Sequence, residues 1–128
     1  MVGGGGVGTR KVDTLLSCGA RVTVVSLKVT DGLRRLSACG AIRLWERAYA
    51  ASDLEGIFLV VGATDDEELN RRVSADAAAL NILCNIADRP EKCNFILPAV
   101  VQRGDLVLTV STSGKSPALA KKLRHELA

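Results

Sequence analysis

Two rhythms of apolar and polar positions alternate along the chain. Arg21-Val-Thr-Val-Val-Ser26 and Ile57-Phe-Leu-Val-Val-Gly62 are short and rich in β-branched residues, which predicts buried strands. Ala41-Ile-Arg-Leu-Trp-Glu46 alternates and predicts a less buried strand, and Asn81-Ile-Leu-Cys-Asn85 a further one. Between these runs the period lengthens. Residues 7–18 predict a helix with Val12, Leu15 and Leu16 inward, closed by Gly19. Residues 31–39 predict a shorter helix, with Leu33 and Leu36 inward and Gly40 ending it. Leu69, Val73, Ala77 and Leu80 share one face of a third, capped by Thr64 or Asp65. Asp65, Asp66, Glu67 and Glu68 complement the positive end of that helix's dipole. Strand–helix–strand repeats with short turns predict a doubly wound parallel α/β sheet of the Rossmann type.

After Asn85 the rhythm changes. Residues 87–94 read as a polar loop, Phe95-Ile-Leu-Pro98 as a strand ended by proline, and Asp105–Ser111 as another strand. Ser116 as N-cap and Pro117 at the first helical position then open a helix with Leu119, Leu123 and Leu127 aligned. The expected organisation is a Rossmann-like domain over residues 1–97 and a small α+β segment over 98–128. Only Met1 and Val2 precede the glycines, so the first strand is expected to be truncated.

Composition narrows the function. Apolar residues make up 48% of the 128 but aromatics only 3%, so the core must be aliphatic. A net charge of +3 without basic runs interleaved with aromatics excludes a nucleic-acid interface, and no apolar run reaches membrane-spanning length. Four cysteines, none in a CxxC pair, and a single histidine, His125, predict no metal site and fit free thiols in the cytoplasm.

Candidate chemistry begins at Gly3-x-Gly5-x-x-Gly8, which follows a strand and opens a helix. In that setting the first glycine makes a tight turn, the second admits a pyrophosphate and the third lets helix and strand pack closely. Four consecutive glycines fix this register only to within one position. The acidic residue that usually ends the second strand is missing, and Val25-Ser-Leu-Lys28 stands there. Ser26 can bond a ribose and Lys28 suits a 2′-phosphate, so these residues leave NAD and NADP both open. Thr64 and Asp65 fit helix caps and the wall of a cofactor crevice equally well. Asp88, beyond the fifth strand, reads alone as a turn former and, over a nicotinamide, as a general acid or base. Arg89, Lys92, Lys115, Lys121, Lys122 and Arg124 form either a solvated face or a seat for carboxylates.

Three stretches, VGGGGVGTRKVDTLLSCGARVTVVS, GATDDEELNRRVS and CNIADRPEKCNFILPAVVQRGDLVLTVSTSGKSPALAKKLR, resemble the precorrin-2 dehydrogenase family, the NAD-dependent module of siroheme synthase. The resemblance implies oxidation of the tetrapyrrole precorrin-2 to sirohydrochlorin with NAD, by a homodimer, and in some members iron insertion as well. It places cofactor contacts on Gly3, Gly5, Gly6, Val7 and Gly8, on Leu27 and Lys28 beside Ser26, and on Thr64 and Asp65. It places the catalytic aspartate on Asp88. A serine phosphorylated in some members falls on Thr112. The contrasting reading is a regulatory Rossmann module that senses NAD without chemistry, which would not require residues 85–117.

Overall fold

In the computed structural model, which describes all 128 residues, the elements follow in the order β1 (Val2–Gly4), α1 (Gly6–Ser17), β2 (Thr23–Val29), α2 (Asp31–Ala38), β3 (Arg43–Trp45), β4 (Leu59–Gly62), α3 (Glu67–Ala79) and β5 (Leu83–Ile86). A hairpin of β6 (Ala99–Arg103) and β7 (Leu106–Val110) and a last helix, α4 (Pro117–Leu127), complete the chain. The contacts divide it into two compact units, Met1–Asn94 and Phe95–Ala128.

The first unit is a five-stranded, wholly parallel sheet in the order β3-β2-β1-β4-β5. The order reverses at β1 and β4, which is where a doubly wound sheet opens a crevice at the carboxyl ends of its strands. Two aliphatic clusters fill its faces. On one, Val12 of α1 and Leu33 of α2 pack with Val22, Val24 and Ile42. On the other, Val73 and Ala77 of α3 pack with Val2, Val25, Val60, Cys84 and Ile86. The α/β fold expected from the pattern is therefore present.

Several local expectations are corrected. Leu80 is not on the buried face of α3: it is the C-cap, 52% exposed, because the helix ends at Ala79 and the chain turns through Asn81 at φ 54°. Asn70 takes the inward place with Val73 and Ala77 instead. Neither Thr64 nor Asp65 is the cap of α3. That residue is Asp66, whose carboxylate accepts from the amides of Glu68 and Leu69 at 3.0 and 3.1 Å. The strand expected at Phe95–Pro98 lies after the proline, over Ala99–Arg103, since proline cannot donate to a ladder.

In the second unit, β6 and β7 pair antiparallel, with Arg103 opposite Leu106 across the two-residue turn Gly104-Asp105. Gly104 has φ 57°, the left-handed backbone such tight hairpins require. Ser116 caps α4, accepting from the amide of Leu119 at 3.3 Å, and Pro117 follows in its first turn, as the sequence predicts. Val101, Arg103, Leu106, Leu108 and Leu127 line an open groove of about 250 Å³.

Candidate functional site

The first two strand-to-helix turns of interest leave neighbouring strands at the same edge, since the sheet is parallel. In the first turn the glycines differ in what holds them. Gly3 has φ 108°, and a Cβ there would lie 2.4 Å from the carbonyl oxygen of Ala63. A Cβ on Gly8 would lie 2.4 Å from the carbonyl oxygen of Gly3, so only glycine lets α1 start this close to β1. Gly5, by contrast, is exposed and has nothing within 4 Å of its missing Cβ. This settles the register left open by four glycines: Gly3 turns, Gly8 packs, and Gly5 faces open space. Gly4 adds a third constraint, its Cβ position lying 2.8 Å from the carbonyl oxygen of Lys28.

Gly5 is the N-cap of α1 and has no side chain to cap it. The first amides of α1, at exposed Gly6 and Val7, therefore have no intrahelical partner. A Rossmann turn offers these groups to a pyrophosphate.

The end of β2 borders the same turn. Ser26 donates to the carbonyl oxygen of Lys28 at 2.7 Å, and its Cβ lies 3.1 Å from the Cβ position of Gly4. Leu27 is 72% exposed and Lys28 is exposed. The strand continues to Val29, and Thr30 caps α2 while its amide donates to the carbonyl oxygen of Gly4 at 2.9 Å. The hydroxyls of Thr9 and Thr30 lie 2.7 Å apart and tie the starts of α1 and α2 together.

Beyond β4, Thr64 meets the glycine turn directly, its Cγ2 lying 3.1 Å from the Cβ position of Gly3. Thr64 donates its hydroxyl to Asn70 Oδ1 at 2.8 Å, and Asn70 Nδ2 donates to the Thr64 carbonyl at 3.0 Å. Asn70 is 3% exposed, so this reciprocal pair fixes the turn from inside. Asp65 is exposed beside it. The sequence reading missed Asn70. Its signal was a polar residue three and seven positions before Val73 and Ala77, on the stripe that has to be buried.

Asp88 stands in the turn after β5, exposed and at φ 59°. Its position is held by neighbours. Ala87 donates to the carbonyl of Gly62 at 2.8 Å and Arg89 to that of Ile86 at 3.2 Å. Arg89 and Lys92 both pair with Glu67 in the first turn of α3, Lys92 Nζ at 2.6 Å. Those two cations hold the Glu67 carboxyl down at about 2. Ser74 of α3 donates to the Lys92 carbonyl at 2.9 Å, and Cys93 and Asn94 cover the free edge of β5. Asn94 does so by mimicking a strand: its Oδ1 accepts from the Cys84 amide at 2.8 Å and its Nδ2 donates to the Ile82 carbonyl at 2.9 Å.

The structure thus brings the glycine turn, Ser26 to Lys28 and Thr64 into contact, and sets Asp88 two strands from the glycine turn on the same sheet edge. Thr112, in the second unit, accepts from the amide of Ser116 at 2.9 Å and so belongs to the entry of α4. No group of three or more His, Cys, Asp or Glu side chains is placed to hold a metal, and no helix is long and apolar enough to cross a membrane.

Known proteins resemble this chain in sequence and fold. Residues 1–99 match the NAD(P)-binding family model, and residues 103–128 match the model of the sirohaem biosynthesis protein central region. Siroheme synthases of Methylobacillus flagellatus and Serratia proteamaculans are 45% and 42% identical to the chain over 127 residues. These matches cover 99% of the chain, which spans 27% of the length of either relative. Among solved structures, "SirC, precorrin-2 dehydrogenase" superposes with a TM-score of 0.83 at 33% identity, over 98% of this chain and 62% of that one. The resemblance read from the three sequence stretches is borne out, and the chain belongs to the NAD(P)-binding family.

Proposed function

We propose that the chain binds NAD and takes part in oxidising precorrin-2 to sirohydrochlorin, a step in siroheme formation. One observation carries this reading. Asp88 stands at the carboxyl edge of the same parallel sheet that presents the glycine turn, within a chain similar end to end to a precorrin-2 dehydrogenase.

The residues fit a dinucleotide. Nothing lies within 4 Å of the Cβ position of Gly5, which leaves that side of the turn clear for a pyrophosphate, and the amides of Gly6 and Val7 supply its donors. Ser26 to Lys28 border the ribose and Thr64 and Asp65 border the crevice. Bound NAD supplies the hydride acceptor. Two hydrogens leave the tetrapyrrole, one as hydride to the nicotinamide and one as a proton, and Asp88 is the group that takes the proton. Lys115, Lys121, Lys122 and Arg124 suit a substrate that carries many carboxylates.

The working form in this reading is a cytoplasmic homodimer. Leu106, Val107 and Leu127 of the second unit are each more than half exposed, which supports a second copy against them.

The test follows absorbance as the protein is mixed with precorrin-2 and NAD, with metal left out so that iron insertion does not contribute. Asp88→Ala should slow sirohydrochlorin formation by about 10²–10⁴-fold, the usual share of a general acid or base. NADH binding should stay unchanged. Undiminished turnover in that variant sinks the assignment.

A further inference from the structure

Asp88 sits in a backbone setting that few side chains adopt. Its φ of 59° lies in the left-handed region, which aspartate tolerates better than most residues and which persists only where neighbours hold it. The turn contains no glycine. Ile86-Ala-Asp-Arg89 closes through the Arg89 amide, which donates to the Ile86 carbonyl at 3.2 Å, the long end of the normal range. Asp88 itself is exposed, so the hold on it has to come through the backbone on either side.

The Cys93 thiol supplies that hold. A short helical turn over Pro90–Lys92 brings residue 93 back to the end of β5. There Cys93 Sγ accepts from the Ile86 amide at 3.1 Å. It lies 3.3 Å from the Ile86 carbonyl oxygen and 3.2 Å from that of Arg89, either of which can take its proton. Ala87 donates to the Gly62 carbonyl of β4, so the preceding amide, that of Ile86, faces the outer edge of the sheet. Ile86 is only 2% exposed, and a buried amide needs a partner. Cys93 is half-buried against the cluster that holds Val73, Cys84 and Ile86, so its sulfur is anchored from the core. Arg89 and Lys92 also pair with Glu67, but through long side chains that reach solvent. The thiol touches the backbone of the turn itself.

We propose that Cys93 is a positioning residue for the reaction, its thiol holding the backbone on both sides of Asp88 so that the carboxylate meets the substrate in one orientation. The inference rests on the reading of Asp88 as the group that takes the proton. Thiol hydrogen bonds are individually weak. Their kinetic reach is larger, because a displacement of about 1 Å at a reacting group can cost about 10²-fold in rate.

The experiment measures kcat and KM for precorrin-2 oxidation with NAD in the full chain, in Cys93→Ala, Cys93→Ser and Asp88→Ala, and in the double variant, with NADH binding alongside. Cys93→Ala should lower kcat by about 10- to 100-fold while KM and NADH binding stay close to the parent's. Cys93→Ser, whose hydroxyl also accepts and donates, should recover kcat to within about threefold of the parent. In the Asp88→Ala background, adding Cys93→Ala should change kcat by less than about twofold, because nothing is left to position. Hydrogen exchange needs no turnover: the Ile86 amide should exchange at least about tenfold faster in Cys93→Ala and near the parent rate in Cys93→Ser. Equal losses of kcat on removing the thiol in the two backgrounds mark a general loss of structure and overturn the proposal. So does parent-like kcat in Cys93→Ala, an Ile86 amide that exchanges no faster there, or a loss in Cys93→Ser as large as in Cys93→Ala. Undiminished turnover in Asp88→Ala removes the catalytic reading of that residue and the positioning role with it, an outcome distinct from equal losses in the two backgrounds.

Discussion

The two compact units handle similar apolar side chains in opposite ways. Residues 1–94 sink theirs into two clusters, one on each face of a five-stranded sheet, and Val12, Val24, Leu33 and Val73 are fully buried. In residues 95–128 only Val101 and Ala120 reach the buried class, while Leu106, Val107 and Leu127 are exposed at 58%, 52% and 52%. A two-stranded hairpin is marginal by itself, and one helix leaves most of it uncovered. Layering accounts for the contrast, since hydrophobicity alone does not. A sheet with helices on both faces closes its own core, whereas a hairpin with one helix is a surface that a second copy can complete.

The largest test of that contrast compares one substitution in each unit. Leu33→Ala should cost about 2–5 kcal/mol in chemical unfolding, the range for truncating a fully buried leucine. Val107→Thr keeps the β-branched shape at an exposed position and should stay within about 0.5 kcal/mol for the dilute chain. For the proposed homodimer, it should nevertheless weaken self-association in sedimentation, where Leu33→Ala that still folds should not. Equal losses of stability in the two variants would remove the distinction between the units.

The next effect is a pH dependence confined to the first unit, which holds all four cysteines. Burial pushes the Cys84 thiol from 9.0 up to about 11, with Cys93 nearby adding to the shift. The folded state therefore binds this proton more tightly than the unfolded chain does. The resulting stability is complete below about pH 9 and is lost as pH rises towards 11. Two pKa units correspond to about 2–3 kcal/mol at most. Cys84→Ala should be less stable at neutral pH and should lose less on raising the pH through that window. Unfolding curves at several pH values check it, and an unchanged slope in the variant would assign the alkaline loss to another group.

Much of this architecture was legible in the sequence, because it follows from backbone rules and periodicity. Gly3 and Gly8 are readable since no other residue fits their φ or their spacing to β1. The strands at 23–29 and 59–62 are readable since β-branched runs have few other uses. What escaped notice depends on side chains meeting across the fold. Asn70 and Asn94 look like ordinary polar residues, yet one locks the Thr64 turn and the other covers the edge of β5. Phe95–Pro98 has the composition of a strand, but the available partner, β7, pairs with the residues after the proline. Thr30 was hidden for a related reason: its cap became visible only once β2 was seen to extend to Val29. The candidate site divides the same way, with the glycine turn and the position of Asp88 legible and the supports of Asp88 not.

The smallest expected effect concerns those supports. Glu67 sits at the start of α3 and pairs with Arg89 and Lys92 on either side of the short turn that follows Asp88. Hydrogen bonds from Arg89, then from Lys92, depress its carboxyl to about 2. A depressed carboxyl contributes stability that is present above its ordinary value of 4.5 and is lost as pH falls from there towards 2. All three side chains reach solvent, so salt should screen most of the effect. Glu67→Gln should therefore flatten the acid limb of the stability profile at low salt and leave stability near pH 7 almost unchanged. At about 1 M salt, where screening acts within roughly 3 Å, parent and variant should converge. An acid limb equally steep in both proteins at low salt would show that other carboxylates carry it. The second unit offers the comparison: its pair Lys122–Glu126 runs along one helix at 4.0 Å and ties no loop to another element. Acid should accordingly loosen the turn at Asp88 before it disturbs the hairpin, which hydrogen exchange at the amides of residues 87–94 and 99–110 can order in time.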